Sequence, residues 1–181
     1  MLRQRGLTLF EMMITLAIVA LLVTTVAPNV QSILTQNRIV SEINELSGII
    51  QFARHTAIDE QVDTVLCPTS NFSACTSNWD NPKMVFADAD GDGARGANEE
   101  LLVSSGGVNQ VNKLKGPSTA IVFAPSGASN VAAELVLCHK SKKPKFARGL
   151  SLGLQGRVKA SQDRNRDGVY ENASKAPLKC I

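Results

Sequence analysis

Arg3-Gln4-Arg5-Gly6-Leu7-Thr8-Leu9-Phe10-Glu11-Met12-Met13-Ile14 opens a run that stays apolar as far as Ala27, and it decides how the rest of the chain is read. From Leu7 to Ala27 there are 21 residues and a single charge, Glu11. At about 1.5 Å per residue, such a helix spans a hydrocarbon core roughly 30 Å thick. A carboxylate in hydrocarbon costs a few kcal/mol or more, so an intramembrane acid marks function and calls for a partner. The partner expected here is a cation exposed when a short basic leader is cut away, a new α-amino group at Leu7. A secretory signal peptide fits poorly, because its apolar run is about 7–15 residues and ends in a small-residue cleavage site. An ordinary signal anchor accounts for the length and for Arg3 and Arg5 on the inner side, but not for Glu11. Pro28 closes the run; lacking a backbone donor, proline is expected to bend or interrupt the helix there.

Without the membrane stretch about 150 residues remain, enough for one globular domain with its own core. All four cysteines, Cys67, Cys75, Cys138 and Cys180, lie beyond the membrane segment. With a positive-inside leader that part faces the periplasm or the cell exterior, where disulfides persist. Zinc is the rival use, but there is no C-x-x-C pair and the only histidines are His55 and His139. Of the three connectivities, the expected one is Cys67–Cys75, closing a short loop, with Cys138–Cys180 tying down the C-terminus.

The segment 29–62 reads as a long amphipathic helix. Val30, Ile33, Val40, Ile43, Leu46, Ile50, Ala53 and Ala57 recur at three- and four-residue spacings. Beyond it the texture turns to short β-like runs between turn residues: Thr64–Cys67, Met84–Ala87, Glu100–Val103, Ala120–Ala124, Glu134–Cys138, Gly149–Leu154 and Arg157–Ala160. A helix followed by strands predicts an α+β fold, the helix laid on a sheet or sandwich. The organisation expected is therefore a leader at 1–6, a transmembrane helix at 7–28, the amphipathic helix at 29–62 and a β-rich head at 63–181 with two disulfides.

Gly6 followed by Leu7-Thr8-Leu9-Phe10-Glu11 resembles the processing site of type IV prepilins, shared by pilins and secretion pseudopilins. The resemblance implies cleavage after Gly6 by a prepilin peptidase, N-methylation of Leu7, and pairing of Glu11 with a neighbour's new amino terminus in a filament. Pro28 matches the helix-disrupting proline of that class, while Leu7 stands where phenylalanine is usual. Further along, Ala53-Arg54-His55-Thr56-Ala57, Met84-Val85-Phe86-Ala87-Asp88, Ile121-Val122-Phe123-Ala124-Pro125-Ser126-Gly127 and Gly156-Arg157-Val158-Lys159 are similar to the GspH/FimT family. That likeness implies the pilin fold and a minor pilin that helps prime the pilus near its tip; the alternative is a minor pseudopilin of type II secretion. It also implies a single-pass inner-membrane precursor with a periplasmic head, later at the cell surface, whose partners are other pilins.

Two constellations carry chemistry. Asp88-Ala89-Asp90-Gly91-Asp92-Gly93, with Glu99 at the twelfth position, has the ligand spacing of a calcium loop; a hairpin turn favours the same residues for their backbone conformations. Asp163-Arg164-Asn165-Arg166-Asp167-Gly168 repeats the opening spacing, but Ser174 stands twelfth. The other constellation is charge. From Cys138 onward, eleven Lys/Arg face three Asp/Glu, a balance of +8 against −5 for the preceding residues. Lys140, Lys142, Lys143, Lys145, Arg148, Arg157, Lys159, Arg164 and Arg166 are candidates for phosphate contacts with DNA, in salt-sensitive and largely sequence-independent binding. Some members of the FimT branch take up DNA through a Gly-Arg-x-Arg element; in Gly156-Arg157-Val158-Lys159 lysine replaces the last arginine, keeping charge but losing bidentate geometry. A solvated loop, or a surface meeting an acidic neighbour, would use the same residues. No enzyme is expected: Ser126 lacks a G-x-S-x-G elbow, and neither histidine has a recognisable nucleophile beside it.

Overall fold

The computed structural model describes residues 8–180, so Gly6 and Leu7, the expected processing residues, lie outside the described part. One helix, α1 (Leu9–Glu60), is followed by eight strands: β1 (Asp63–Pro68), β2 (Lys83–Asp88), β3 (Leu101–Ser105), β4 (Asn112–Lys115), β5 (Ile121–Phe123), β6 (Ala133–His139), β7 (Arg148–Leu152) and β8 (Val158–Ala160). They form two four-stranded sheets, β3-β2-β1-β5 and β4-β6-β7-β8, every pair antiparallel. The chain divides into two compact units, up to Asn37 and from Arg38 onward.

In the first unit, Thr8 caps the helix, its Oγ1 accepting from Glu11 N at 3.2 Å. Glu11 therefore also occupies the third position of a capping-box pattern. Leu9, Phe10, Leu16, Leu21 and Val23 are all exposed, and α1 is long and apolar enough to cross a membrane. Pro28 lies inside α1 rather than ending it, which corrects the expected interruption. The amide that Pro28 lacks would have served Thr24 O, and polar side chains around the gap bond to nearby carbonyls. Asn29 Nδ2 donates to Thr25 O at 3.2 Å, Thr24 Oγ1 to Ala20 O at 3.0 Å and Thr25 Oγ1 to Leu21 O at 3.0 Å.

The second unit has its own core. Ile39, Ile43, Leu46, Ile49, Ile50, Ala53 and Ala57 of α1 pack on Leu66, Val85, Ile121 and Phe123 of the first sheet and on Leu114, Leu135, Leu137, Leu150 and Leu152 of the second. The buried stripe differs from the expected one: Val30, Ile33 and Val40 are exposed, while Ile39 and Ile49 face the core. Spacing alone does not say where along a helix the head begins. Trp79 is 2% exposed, its Nε1 donating to Pro117 O at 2.7 Å.

Each sheet has a second covered face. Val65, Cys67, Met84 and Phe86 pack against Phe72 and Cys75, so β1 and β2 are buried almost throughout. The lid is the loop closed by Cys67–Cys75. On the other sheet, Cys138, Ala147 and Leu178 pack with Tyr170 and Cys180, held by Cys138–Cys180. Both disulfides have the expected pairing. Asn112–Lys115 was not expected as a strand. It alternates buried and exposed, but its first inward residue is an asparagine, whose Nδ2 donates to Glu42 Oε1 and Oε2 at 3.1 and 3.0 Å.

Candidate functional site: a basic cleft on the second sheet

β7 and β8 place the Gly156-Arg157-Val158-Lys159 element against α1. Gly153 N and Arg157 O close the connecting turn at 3.0 Å, and Gly156 sits there at φ +70°. Arg54 of α1 donates from Nε to Gly127 O at 2.9 Å. A Cβ at Gly156 would overlap that same carbonyl oxygen and come within 2.7 Å of Arg54 Nε. At Gly127, φ +75°, a Cβ would lie 2.6 Å from Ile58 Cδ1. The two glycines thus let three segments close on one arginine, fixing where Arg157 and Lys159 emerge.

Three open clefts meet there. One of about 400 Å³ is lined by Gln51, Arg54, His55, Arg157 and Lys159. A second of about 440 Å³ runs past Ser151, Gln155, Arg157, Lys159 and Ala173. The third, about 230 Å³, continues along Lys159, Gln162, Arg164 and Asn172. Arg54, Arg157, Lys159 and Arg164 all line this surface, with no Asp or Glu among its lining residues and no Phe, Trp or Tyr. Such a surface suits a polyanion gripped by its phosphates and offers no platform for base stacking.

The other predicted cations lie elsewhere. Lys140, Lys142, Lys143 and Lys145 are exposed on the β6–β7 turn, at the opposite end of β7 from the Gly156 turn. Arg166, at φ +63°, is exposed on the loop after β8. Arg148 is not available to a ligand, which corrects its candidacy: it is 4% exposed. Its Nη1 donates to Ala147 O at 2.7 Å and Lys145 O at 3.1 Å, and its guanidinium lies 3.4 Å from the Tyr170 ring centroid. Burial draws its pKa down from the ordinary value, opposed by Tyr170 and Asp163. It anchors the C-terminal segment. The sequence reading missed Gln51, Arg54 and His55 as cleft residues, since nothing in linear order ties mid-helix residues to a turn a hundred positions later.

Of the calcium candidates, Asp88, Asp90 and Glu99 each place a carboxylate oxygen within 4.8 Å of the others. Asp92 is not in that group, its Oδ1 accepting from Ala94 N at 2.7 Å. The other oxygens are engaged too: Asp88 accepts from Gly91 and Gly93 amides, both at 2.9 Å, and Glu99 from Ala89 and Gly96 at 2.9 and 2.8 Å. Burial raises the Asp88 pKa, with Glu99 and Asp90 adding to the rise. Backbone amides thus close the β2–β3 loop as a turn.

The region 42–156, which holds most of the core helix face and strands β1 to β7 and ends at Gly156, before Arg157, Lys159 and β8, matches the family model described as type II transport protein GspH. The chain belongs to the GspH family. Residues 1–27 match the prokaryotic N-terminal methylation motif. Among solved structures, the Pseudomonas aeruginosa type IV minor pilin FimU is similar at TM-score 0.59 and 20% identity, over 81% of this chain and 97% of that one. The Vibrio cholerae minor pseudopilin EpsH, of the type 2 secretion system, is similar at TM-score 0.51 and 11% identity, over 68% and 95%. No curated protein sequence matches the chain. Both likenesses are of fold, and the pilin-like fold expected from the sequence is the fold observed.

Proposed function

We propose that this GspH-family chain is a minor type IV pilin, cleaved after Gly6, anchored in the inner membrane with its head in the periplasm, and assembled near the pilus tip, where it helps prime the filament. Its head contacts DNA through the cleft lined by Arg54, Arg157, Lys159 and Arg164. The acid-free lining of that cleft carries the reading. If all four cations meet phosphates, the affinity for duplex DNA falls with a log–log salt slope of about −3 to −4, roughly a hundredfold between 50 and 200 mM. A gel-shift of the full chain in detergent at graded salt tests this. Absence of a shift at about 50 mM salt, where phosphate-driven binding is strong, refutes the DNA role.

For assembly, Glu11 is exposed in the first turn of α1, open to a neighbouring subunit's amino terminus. Replacing Glu11 with alanine should abolish recovery in sheared filaments while leaving membrane levels unchanged. Normal incorporation would remove the pairing role. A minor pseudopilin of type II secretion is the second reading, favoured by the description of the matched family. Neighbouring genes for secretion rather than for other minor pilins would favour it.

A further inference from the structure

The two sheets end in β3, β5, β4 and β8, and the chain treats these edges differently. On β5, Asn130 closes the edge, its N donating to Val122 O at 3.0 Å and its Oδ1 accepting from Val122 N at 2.9 Å. On β4, Asp80 Oδ1 accepts from Leu114 N at 2.8 Å. β3 loses register with β2 between Val85 and Phe86, and such a bulge bends an edge away from further pairing. β8 has neither cover nor bulge.

The bonds of the β7–β8 hairpin show which groups are left over. Gly153 N donates to Arg157 O at 3.0 Å, and Ser161 N donates to Gly149 O at 2.8 Å. Pairs that exchange ladder bonds alternate with pairs that do not. Arg157, Lys159 and Ser161 therefore bond inward to β7, while Val158 and Ala160, opposite Leu152 and Leu150, turn their N–H and C=O outward. Among the described residues, nothing across that edge meets these four groups. Two of the open clefts lie along it. The one of about 400 Å³ takes in Val158 with Gln51 and His55 of α1, and the one of about 230 Å³ takes in Ala160 with Gln162 and Asn172.

An occupant that satisfies this edge must offer donors and acceptors together, repeated every two residues or about 6.6–6.8 Å. Phosphates offer acceptors only and would leave the Val158 and Ala160 carbonyls unmatched, whereas an extended peptide offers both. Charge then sets its composition. Arg157 and Lys159 are exposed on one face of the strand, and Val158 packs on the core from the other. An added strand continues those faces, so acidic residues at alternate positions meet the two cations while apolar ones between them extend the Val158 side. No Asp or Glu lines either cleft. Asp59 stands a turn beyond His55 and outside the lining, and Glu134, opposite Ser151 in register, is two strands in from the edge.

We propose that the open edge of β8 is a docking site for an extended acidic segment of a partner protein, which adds an antiparallel strand to the second sheet and sets its carboxylates on Arg157 and Lys159. Antiparallel addition matches every other pair in the head and is the more stable per residue. The site goes beyond the DNA reading and does not depend on it. It shares two cations with it, so peptide and DNA exclude one another there.

The probe is an octapeptide of alternating glutamate and valine, blocked at both ends and titrated into the nitrogen-15-labelled full chain in detergent at about 50 mM salt. The Val158 and Ala160 amides should shift, and their exchange with solvent should slow by about tenfold or more as they gain acceptors. With glutamates on the Lys159 face, the valine N–H groups point at β8 and the glutamate N–H groups point away. N-methylation of the valines should therefore weaken binding by about tenfold or more, while N-methylation of the glutamates leaves it nearly unchanged. A lysine–valine peptide should not bind. Ala160→Pro removes an outward N–H and no ladder bond, a place where a strand tolerates proline. It should keep the unfolding midpoint and the DNA gel-shift, yet weaken the peptide by about tenfold. Failure of the unmethylated peptide to bind, binding that survives valine methylation, or shifts confined to residues away from β8 each overturn the proposal, as does DNA that the peptide cannot displace. A missing gel-shift beside normal peptide binding refutes the DNA role and leaves the strand site standing, so the two readings fail separately.

Discussion

Replacing Gly156 with alanine tests whether the cleft is held as the structure has it. Two costs add. The residue sits at φ +70°, which costs an L-residue roughly 1–2 kcal/mol. The new Cβ would overlap Gly127 O and lie 2.7 and 2.9 Å from Arg54 Nε and Cδ. A backbone oxygen cannot swing aside as a side-chain tip can, and overpacking of this kind costs about 1–3 kcal/mol. The sum, about 2–5 kcal/mol, lowers the unfolding midpoint by about 10 °C at roughly 2–4 °C per kcal/mol. Trp79, the only tryptophan and 2% exposed, reports head unfolding by fluorescence in the full chain in detergent. Gly93→Ala isolates the backbone cost, because Gly93 has φ +74° but nothing within 4 Å of its Cβ position. If Gly156→Ala costs no more than Gly93→Ala, the closure of Arg54, Gly127 and Gly156 on one another is refuted as the device that positions Arg157 and Lys159.

Other outcomes follow from single contacts. Arg157→Ala with Lys159→Ala should flatten the salt slope of DNA binding by about 2, and an unchanged slope would move the contact elsewhere. Glu42→Ala strips both acceptors from the buried Asn112 amide, at a cost of about 1–3 kcal/mol by denaturant unfolding; a loss under about 0.5 kcal/mol would mean that water replaces the carboxylate. Burial lowers the Lys83 pKa from 10.5, with Glu45, Asp80 and Glu42 opposing. The folded state then releases that proton first, so stability rises with pH between the lowered value and 10.5. Lys83→Met should be more stable than the native chain at pH 7, the advantage shrinking through that window; a pH-independent difference would contradict the assignment. Cys138–Cys180 spans 42 residues and Cys67–Cys75 only 8, so on chain entropy the first contributes about 4 kcal/mol and the second about 2.5. Serine pairs at each site, compared by unfolding midpoint, test that order.

How much was legible depended on how local the determinant is. The membrane run, the start of the helix and seven of the eight strands are written in stretches of a few residues, where hydrophobic period and turn chemistry act directly. The cysteine pairing was legible because one short loop and one tied terminus are the economical choice. β4 was not, because a strand begun by Asn112 looks polar until Glu42 supplies the buried acceptor. Of the bend or interruption expected at Pro28, the interruption is absent, since α1 runs through it; a proline removes one intrahelical hydrogen bond, and the turns on either side keep theirs. The buried stripe of α1 was legible in period but not in extent, since Val30 and Ile33 continue the pattern into the unit that lacks the core.

The excess of positive charge after Cys138 looks like one signal, and the fold makes it three. β7 runs from Arg148 to Leu152, and the chain enters it from the lysine turn and leaves it at the Gly156 turn. Cations close in sequence are thereby carried to opposite ends of a strand. Arg148, at the start of β7, is spent inside, its guanidinium stacked on Tyr170 beneath the segment that Cys138–Cys180 secures. Arg157 and Lys159 instead gain Arg54 from the helix, a residue that the charge count assigned to the acidic part of the chain. A net charge of +8 therefore overstates the size of any single anion site and misplaces one of its members. Neutralising Arg54, which lies outside the basic segment, should weaken polyanion binding more than neutralising Arg148, which lies within it, and linear charge counting predicts the reverse.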